Sequence, residues 1–534
     1  MQTVAIIGAG PAGLAVARWL KRDGFDPILF EQGDRLGGQW AADPRYSGVW
    51  SSMHTNTCRE MTQFSDLAHA PGTPVYPSHR TMLAYLESYA DQFGLVPRIK
   101  LQARVVGLAQ TPNNGWALTY VGDDGLEHEE NVCKVVVASG RFNKPMLPEI
   151  PGLASFTGPC GVVHASQYKD PDRYRGQRVL VAGCAVSALE IACDLAMMGA
   201  ARVATTNRRQ RYIMQKIVAG VPIEHLVQTR SAALAQERLP KKEVAEDLRQ
   251  LILRTSGSPE LFGALNPGED LAAAGVTQCQ HYLPLVAEGR IDVKPWITAI
   301  DGQTVQFSDG TADQFDGVIF GTGFELSLPF LSDALRQQLG VGAQNLDLYK
   351  CTFHPDLLGL AFAGLFQVAG PYFPPIELQA RWISYVWSGA RPLPSPMEMR
   401  RWAAKTAGQT SDKHHMPSLT VDFAREAGVE PNIDQWPDLE HALLFGPLVP
   451  ASFRLNGRDP LIDAPRRLLE IANPSHPLTS GSARHRKMRS DAFPFELIAP
   501  RHRGEYRHDV SPKSMRTDVA AAARLWPVCS KSQR

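Results

Sequence analysis

The feature that most constrains this chain is a glycine pattern held between two strands near its N-terminus. Residues 4–7 read as a buried strand, and Gly8-Ala9-Gly10-Pro11-Ala12-Gly13 as the turn after it. Helical periodicity follows over 14–21, then a second strand over 27–31, with Glu31 at its end. Each element has a task. The glycines permit a tight turn, close approach of backbone to a pyrophosphate, and close helix–strand packing. The helix N-terminus presents N–H donors and a favourable dipole to phosphate. The carboxylate accepts hydrogen bonds from ribose hydroxyls and repels a 2′-phosphate. An ordinary glycine turn is the bland alternative. Strand, helix and acid in the right places favour a dinucleotide-binding βαβ unit, and so a parallel α/β sheet.

The pattern recurs. A strand over 178–182 runs into Gly183-Cys184-Ala185-Val186-Ser187-Ala188, then a helix over 189–198 and a strand over 201–205. Ala185 replaces the second glycine, and Ala188 is tolerated at the third. No acid follows; the chain reads Thr205-Thr206-Asn207-Arg208-Arg209. Two guanidiniums at that place favour a 2′-phosphate, so this half reads as an NADPH site. The alternative is a solvated pair of surface arginines. Each unit has a later buried strand that ends in glycine, 134–138 before Ser139-Gly140 and 317–320 before Gly321-Thr322-Gly323. The second unit therefore lies inside the first, with Pro145, Pro148 and Pro151 marking a linker. The expected fold class is α/β with two Rossmann-like dinucleotide-binding domains. Residues 1–150 and 325–470 form one, and 151–324 form the other, inserted into it. Helices are also expected over 82–93 and 376–387.

Composition narrows the function. The 534 residues carry 55 Lys and Arg against 54 Asp and Glu, which argues against nucleic acid as the main partner. That balance divides along the chain. Residues 471–534 hold 12 basic and 5 acidic side chains, leaving 43 and 49 before them. This basic C-terminal extension is aperiodic and rich in Pro, Ser, Arg and His. A solvated tail is expected, the alternative being a segment that folds back or touches a partner or membrane surface. Eight cysteines form no CxxC pair, so neither a zinc ribbon nor a dithiol redox site is indicated. No metal-ligand spacing and no nucleophile triad is found. The first strand begins at Gln2, leaving no room for a signal peptide. The longest apolar run, 357–366, is too short for a transmembrane segment, which needs about 20 residues. A cytoplasmic protein is expected.

Further segments carry a resemblance. Leu36-Gly37-Gly38-Gln39-Trp40, Met53-His54-Thr55-Asn56-Thr57 and Phe64-Ser65-Asp66 are followed by Tyr76-Pro77-Ser78-His79. Later come Leu348-Tyr349-Lys350, Glu377-Leu378-Gln379-Ala380-Arg381-Trp382, Phe445-Gly446-Pro447 and Phe453-Arg454-Leu455. In this order, over about residues 1–470, they resemble the flavin-containing monooxygenases, class B flavoprotein monooxygenases. Ala138-Ser139-Gly140 and Gly321-Thr322-Gly323-Phe324 are similar to the family's two hinge segments. Phe156, Gly158, His164 and Tyr168 are similar to its FxGxxxHxxxY/F signature, with two residues inserted between Gly158 and His164. Related Baeyer–Villiger monooxygenases are expected to place a tryptophan at Tyr168.

The resemblance implies FAD on the first unit and NADPH on the inserted one. It implies that one oxygen atom passes from a flavin C4a-hydroperoxide to a soft nucleophile, an amine nitrogen or a sulfide sulfur, of a small molecule. O2 is the co-substrate, and a homodimer is kept as an oligomeric alternative. The flavin carries the chemistry, so no acid–base pair is required of the protein. Asn56 matches the family's active-site asparagine; taken alone it would be a loop cap. FAD-side expectations fall on Gly8, Gly10, Ala12, Gly13, Glu31, Gly38, Gln39, Trp40, Thr55, Val105, Ser139, Gly140 and Gln379. NADPH-side expectations fall on Tyr168, Gly183, Ser187, Ala188, Thr206, Arg208, Arg209, Thr322 and Gly323. The bland readings are core residues for Trp40 and Val105 and a helix-surface residue for Gln379; His54 and His79 are expected to be structural. Two alternatives stay open: a Baeyer–Villiger or N-hydroxylating enzyme, and a flavoprotein with weakened NADPH use, which Ala185 and the insertion before His164 motivate.

Overall fold

A computed structural model describes residues 2–406 and 413–472. The expected basic extension falls almost wholly outside the described residues. Its expected start at 471 lies within a helix, Ala464–Ala472, whose Leu468 is buried. The packed body therefore continues past that boundary.

Two five-stranded parallel sheets organise the chain. In the first, Thr3–Ile7 lies at the centre between Asp26–Phe30 and Lys134–Val137, with Ile99–Lys100 and Leu360–Phe362 at the edges. Val4, Ala5 and Ile6 are fully buried, as a continuous apolar strand covered on both faces must be. In the second, Arg178–Ala182 is central between Arg202–Thr206 and Gly317–Phe320, with Ile291–Lys294 and Gly161–His164 outside. The two sheets share one strand order. Each also has a three-stranded antiparallel meander, 104–132 and 297–314, directly before the strand that ends in the hinge glycines. They differ at one edge. Leu360–Phe362 comes after the whole inserted unit, whereas Gly161–His164 comes before its own glycine turn.

The chain crosses between the sheets twice, and the crossings pair. Lys144–Pro145 runs antiparallel to Phe324–Glu325, and Met146 N–H donates to Gly323 O at 3.0 Å. The two residues inserted before His164 lie in a turn closed by Gly161 N–H on Gly158 O, leading into the edge strand. His164 Nε2 then sits 3.0 Å from Gly323 O, tying that strand to the hinge.

Helix Pro11–Arg22 starts on a proline, whose missing N–H costs nothing there, and buries Leu14, Val16, Trp19 and Leu20. It packs on helix Phe373–Trp387, which is buried throughout 373–385. Behind this pair three of the ordered motifs meet. Glu377 accepts from Ser65 N–H at 2.7 Å and from the Ser65 hydroxyl, while Arg454 donates to Ser65 Oγ at 2.6 Å. Arg18 pairs with Asp66 at 3.1 Å, and Arg381 donates to Phe453 O at 2.9 Å. The segments around 65, 377 and 454 are thus one buried polar core that holds the first glycine helix from behind.

A helical segment between Thr206 and Ile291 has no counterpart in the expected elements. It includes Arg230–Arg238 and Lys241–Thr255. Among the described residues, no helix is long and apolar enough to cross a membrane.

Candidate functional site

The first glycine turn is built so that only glycine fits at two positions. Gly8 has φ +106°, and a Cβ there would stand 2.6 Å from Ala138 O. A Cβ on Gly13 would stand 2.0 Å from Gly8 O, so the helix rests directly on the strand. Gly10 is different. It is the helix N-cap with φ −78°, a conformation open to any residue. Its Cβ would meet only the Gly38 backbone, Cα at 3.5 Å and N at 3.8 Å. The backbones of Gly10 and Gly38 therefore face one another at the helix N-terminus. Glu31 is buried, and its two oxygens accept Ala9 N–H and Gly33 N–H, each at 2.9 Å. Burial pushes its carboxyl up, against the pull of those N–H groups. Ala103 N–H donates to Glu31 O at 2.8 Å, which brings the strand bearing Val105 beside the acid. Ser139 Oγ, on the hinge side, is buried without a partner, and Gly140 faces open space at φ +74°. Ala12 lies under Gly364, whose Cβ would stand 2.8 Å from it. A cradle with open helix donors and an orphaned hydroxyl fits a dinucleotide.

The second turn repeats this geometry. Gly183 has φ +133°, and its Cβ would stand 2.6 Å from Gly321 O. Ala185 takes φ −91°, the extended conformation of Gly10, so its methyl adds no backbone strain. Ala188 is fully buried against Gly321, where a Cβ would come within 2.6 Å of its own, and Ser187 is exposed on the first helical turn. At the end of the neighbouring strand Thr206 is buried with its hydroxyl on Pro295 O. Arg208 and Arg209 are exposed. The Arg208 guanidinium stacks 4.7 Å from the Trp296 ring, and Arg209 donates to Ala273 O. Asn207 Oδ1 is buried without a partner.

A cleft of about 2300 Å³ joins the two halves. Trp40, Thr55 and Asn56 line it from the first unit, with Gly183, Arg208, Arg209 and Thr322 from the second. The Thr322 hydroxyl donates to Met146 O, and Gly323 has φ +89°. Asn56 Oδ1 and Thr55 Oγ1 are both buried without a partner. A buried amide oxygen left unpaired costs roughly 1–3 kcal/mol unless something fills it. This amide oxygen and the Thr55 hydroxyl share one wall of the cleft. Val244, Leu248 and Leu251 of the helical segment supply an apolar wall. That wall escaped the sequence reading, although Val244, Leu248 and Leu251 repeat at helical spacing. Lys216, also missed, is buried 3.2 Å from Glu190 Oε1 and reaches Thr55 O at 3.4 Å.

Three of the expected residues bond within the protein. Gln379 is fully buried and its amide is spent on the protein. Its Oε1 accepts Gly364 N–H at 2.9 Å, and its Nε2 donates to Thr352 Oγ1 at 2.8 Å and Cys351 O at 3.1 Å. It braces the segment at Gly364, beside Ala12. Tyr168 is also fully buried. It donates to Asp194 Oδ2 at 2.7 Å and meets the Trp50 ring edge-on at 5.8 Å, within the second core. Gln39 turns back on its own loop, accepting Gly48 N–H at 2.7 Å and donating to Tyr46 O at 3.1 Å. His54 contacts Ser52 O, as a structural residue would.

The sequence matches the family model described as flavin-binding monooxygenase-like over residues 1–474. Dimethylaniline monooxygenase [N-oxide-forming] 2 of Rattus norvegicus is 30% identical over 519 residues, covering 90% of this chain and 95% of its own. Flavin-containing monooxygenase 5 of Oryctolagus cuniculus is 28% identical, covering 88% and 91%. Among solved structures, S-allyl-L-cysteine S-oxygenase from Allium sativum superposes with TM-score 0.60 at 26% identity, over 80% of this chain and 88% of that one. Cyclohexanone monooxygenase from Rhodococcus sp. Phi1 shares the fold, with TM-score 0.60 at 18% identity over 80% and 97%. The chain belongs to the flavin-binding monooxygenase-like family, oxidoreductases that use FAD and NADPH.

Proposed function

We propose that the protein transfers one oxygen atom from O2 to an amine nitrogen or a sulfide sulfur of a small molecule, at the cleft between its two nucleotide-binding units. Residues 1–150 with 325–470 hold FAD, and 151–324 hold NADPH. When bound, FAD supplies the hydride acceptor and the oxygen-activating centre. The chain's own residues bind, orient and exclude water. Gly8, Gly10, Gly13 and Glu31 carry one dinucleotide; Gly183, Ser187, Ala188, Arg208 and Arg209 carry the other. Asn56 is the single observation that supports the reading most. Its free Oδ1 lines the same cleft as Arg208 and Trp40. An amide donates and accepts but has no titratable proton, so it holds a polar group in place without protonating it. The relatives whose names record N-oxide formation and S-oxygenation favour heteroatom substrates. Tyr168, buried on Asp194, does not line the cleft.

The test is product analysis of the FAD-loaded protein with NADPH, O2 and, in parallel, a tertiary amine, a thioether and a cyclic ketone. An N-oxide or sulfoxide is expected as the main product. Ester formation from the ketone alone would replace this reading with Baeyer–Villiger chemistry.

A further inference from the structure

Close to the Asn56 loop lies a group of side chains that the oxygenation reading does not use. Cys58 begins the short helical turn Arg59–Met61 in the first unit, and His225 lies in the turn Glu224–Val227 of the inserted unit. Their side chains meet, with Cys58 Sγ 3.6 Å from His225 Nε2. Glu60 completes the group. One ligand atom from each of the three falls within 4.8 Å of the others. No spacing in the sequence announces this, because 165 residues separate Glu60 from His225.

We propose that Cys58, Glu60 and His225 form a site for one divalent transition-metal cation of zinc type, pinning the Asn56 loop to the inserted unit. The distances carry the argument. Zn–S near 2.3 Å and Zn–N near 2.0 Å at a tetrahedral angle put sulfur and nitrogen about 3.5 Å apart. The observed pair is already at that separation, and the Glu60 carboxylate lies within 4.8 Å of both. Thiolate, imidazole and carboxylate form a donor set suited to zinc, not to magnesium or calcium. Charge fits as well. One thiolate and one carboxylate neutralise a divalent ion, with Cys58 fully buried and Glu60 and His225 partly so. A second observation points to a missing ligand. Glu224, next to His225, is 1% exposed. Its Oε1 accepts Cys58 N–H and the Gln278 amide, both at 3.2 Å, while its Oε2 has no partner. A water supplies the fourth position. A nucleophilic Cys–His pair is the competing use of these groups. Full burial of the sulfur, beside two carboxylates, opposes it.

The experiment uses the full-length, FAD-loaded protein after chelator dialysis, titrated with Co2+ as a spectroscopic stand-in. One equivalent should give tetrahedral ligand-field bands in the red, beyond the flavin absorption. Zn2+ should displace it and raise the melting temperature. Cys58→Ser and His225→Gln should each abolish the bands. Cys351→Ser should keep them, although Cys351 lies 3.3 Å from another histidine, His414. Absence of thiolate-bound Co2+ in the unaltered protein overturns the proposal, whether or not the variants fold. So do bands that survive His225→Gln, or bands lost in Cys351→Ser.

Discussion

Gly10→Ala separates what the fold needs from what the nucleotide needs. Gly10 has φ −78° and ψ −176°, so the substituted residue keeps an allowed backbone. The added methyl meets Gly38 Cα at 3.5 Å, an ordinary contact. Replacing a glycine N-cap by alanine costs about 0.5–1 kcal/mol, and the lower entropy of the unfolded chain returns about 0.4–1 kcal/mol. The apo protein should therefore melt within about 1 kcal/mol of the unaltered one. The methyl stands, however, where a pyrophosphate must approach the helix N-terminus. Pushing a phosphate off one charge-assisted hydrogen bond loses about 1.5–3 kcal/mol, or roughly a 10- to 100-fold weaker FAD. Gly13→Ala is the opposite case. Its methyl stands 2.0 Å from Gly8 O, so helix and strand must part and the apo protein itself should be destabilised. The assay is thermal melting of deflavinated protein beside FAD titration by quenching of flavin fluorescence. If Gly10→Ala binds FAD as tightly as the unaltered protein, or if its apo form melts as low as that of Gly13→Ala, the assignment of the first turn is refuted.

Replacing both Arg208 and Arg209 by alanine should raise KM for NADPH at least tenfold and leave KM for NADH nearly unchanged, read from steady-state rates with each coenzyme. Equal rises would return the pair to the surface. Arg454→Ala strips Glu377 and Ser65 of their buried cation and should cost about 3–5 kcal/mol, seen as a lowered urea midpoint. In chelator, Glu224 should set a pH dependence. Burial pushes its carboxyl up to about 7. As pH rises from the ordinary glutamate range towards that value, the unfolded chain releases this proton while the folded protein keeps it. Stability therefore falls across this window, by roughly 3 kcal/mol, and Glu224→Gln should flatten the decline.

The repeated glycine turns were legible because their constraint is local. A residue at positive φ with a carbonyl oxygen 2.6 Å from its missing Cβ must be glycine, and Gly8 and Gly183 both obey this. The inserted unit was legible because its closing strand, like that of the first unit, runs into glycine. What stayed hidden depends on contacts across the fold. The order of motifs around Ser65, Glu377 and Arg454 pointed to a family but not to their single buried network. Gln379 sits on a helix that is buried on every side, so a helix-surface reading and a cofactor reading both missed its bonds to Gly364 and Thr352. Tyr168 was placed by its motif on the nucleotide, yet the helix bearing Asp194 takes its hydroxyl. The Cys58–His225 contact joins residues from different units, and no local periodicity encodes it.

The central claim is that this chain moves one atom of O2 onto a heteroatom at the expense of NADPH. Turnover of a tertiary amine and a thioether under isotopically heavy O2, in ordinary water, tests it directly. A single heavy oxygen atom is expected in the N-oxide or sulfoxide, with one NADPH consumed per product, and a shift toward hydrogen peroxide in Asn56→Ala. An unlabelled product, or NADPH oxidation whose oxygen is recovered entirely as hydrogen peroxide in the unaltered protein, would contradict it.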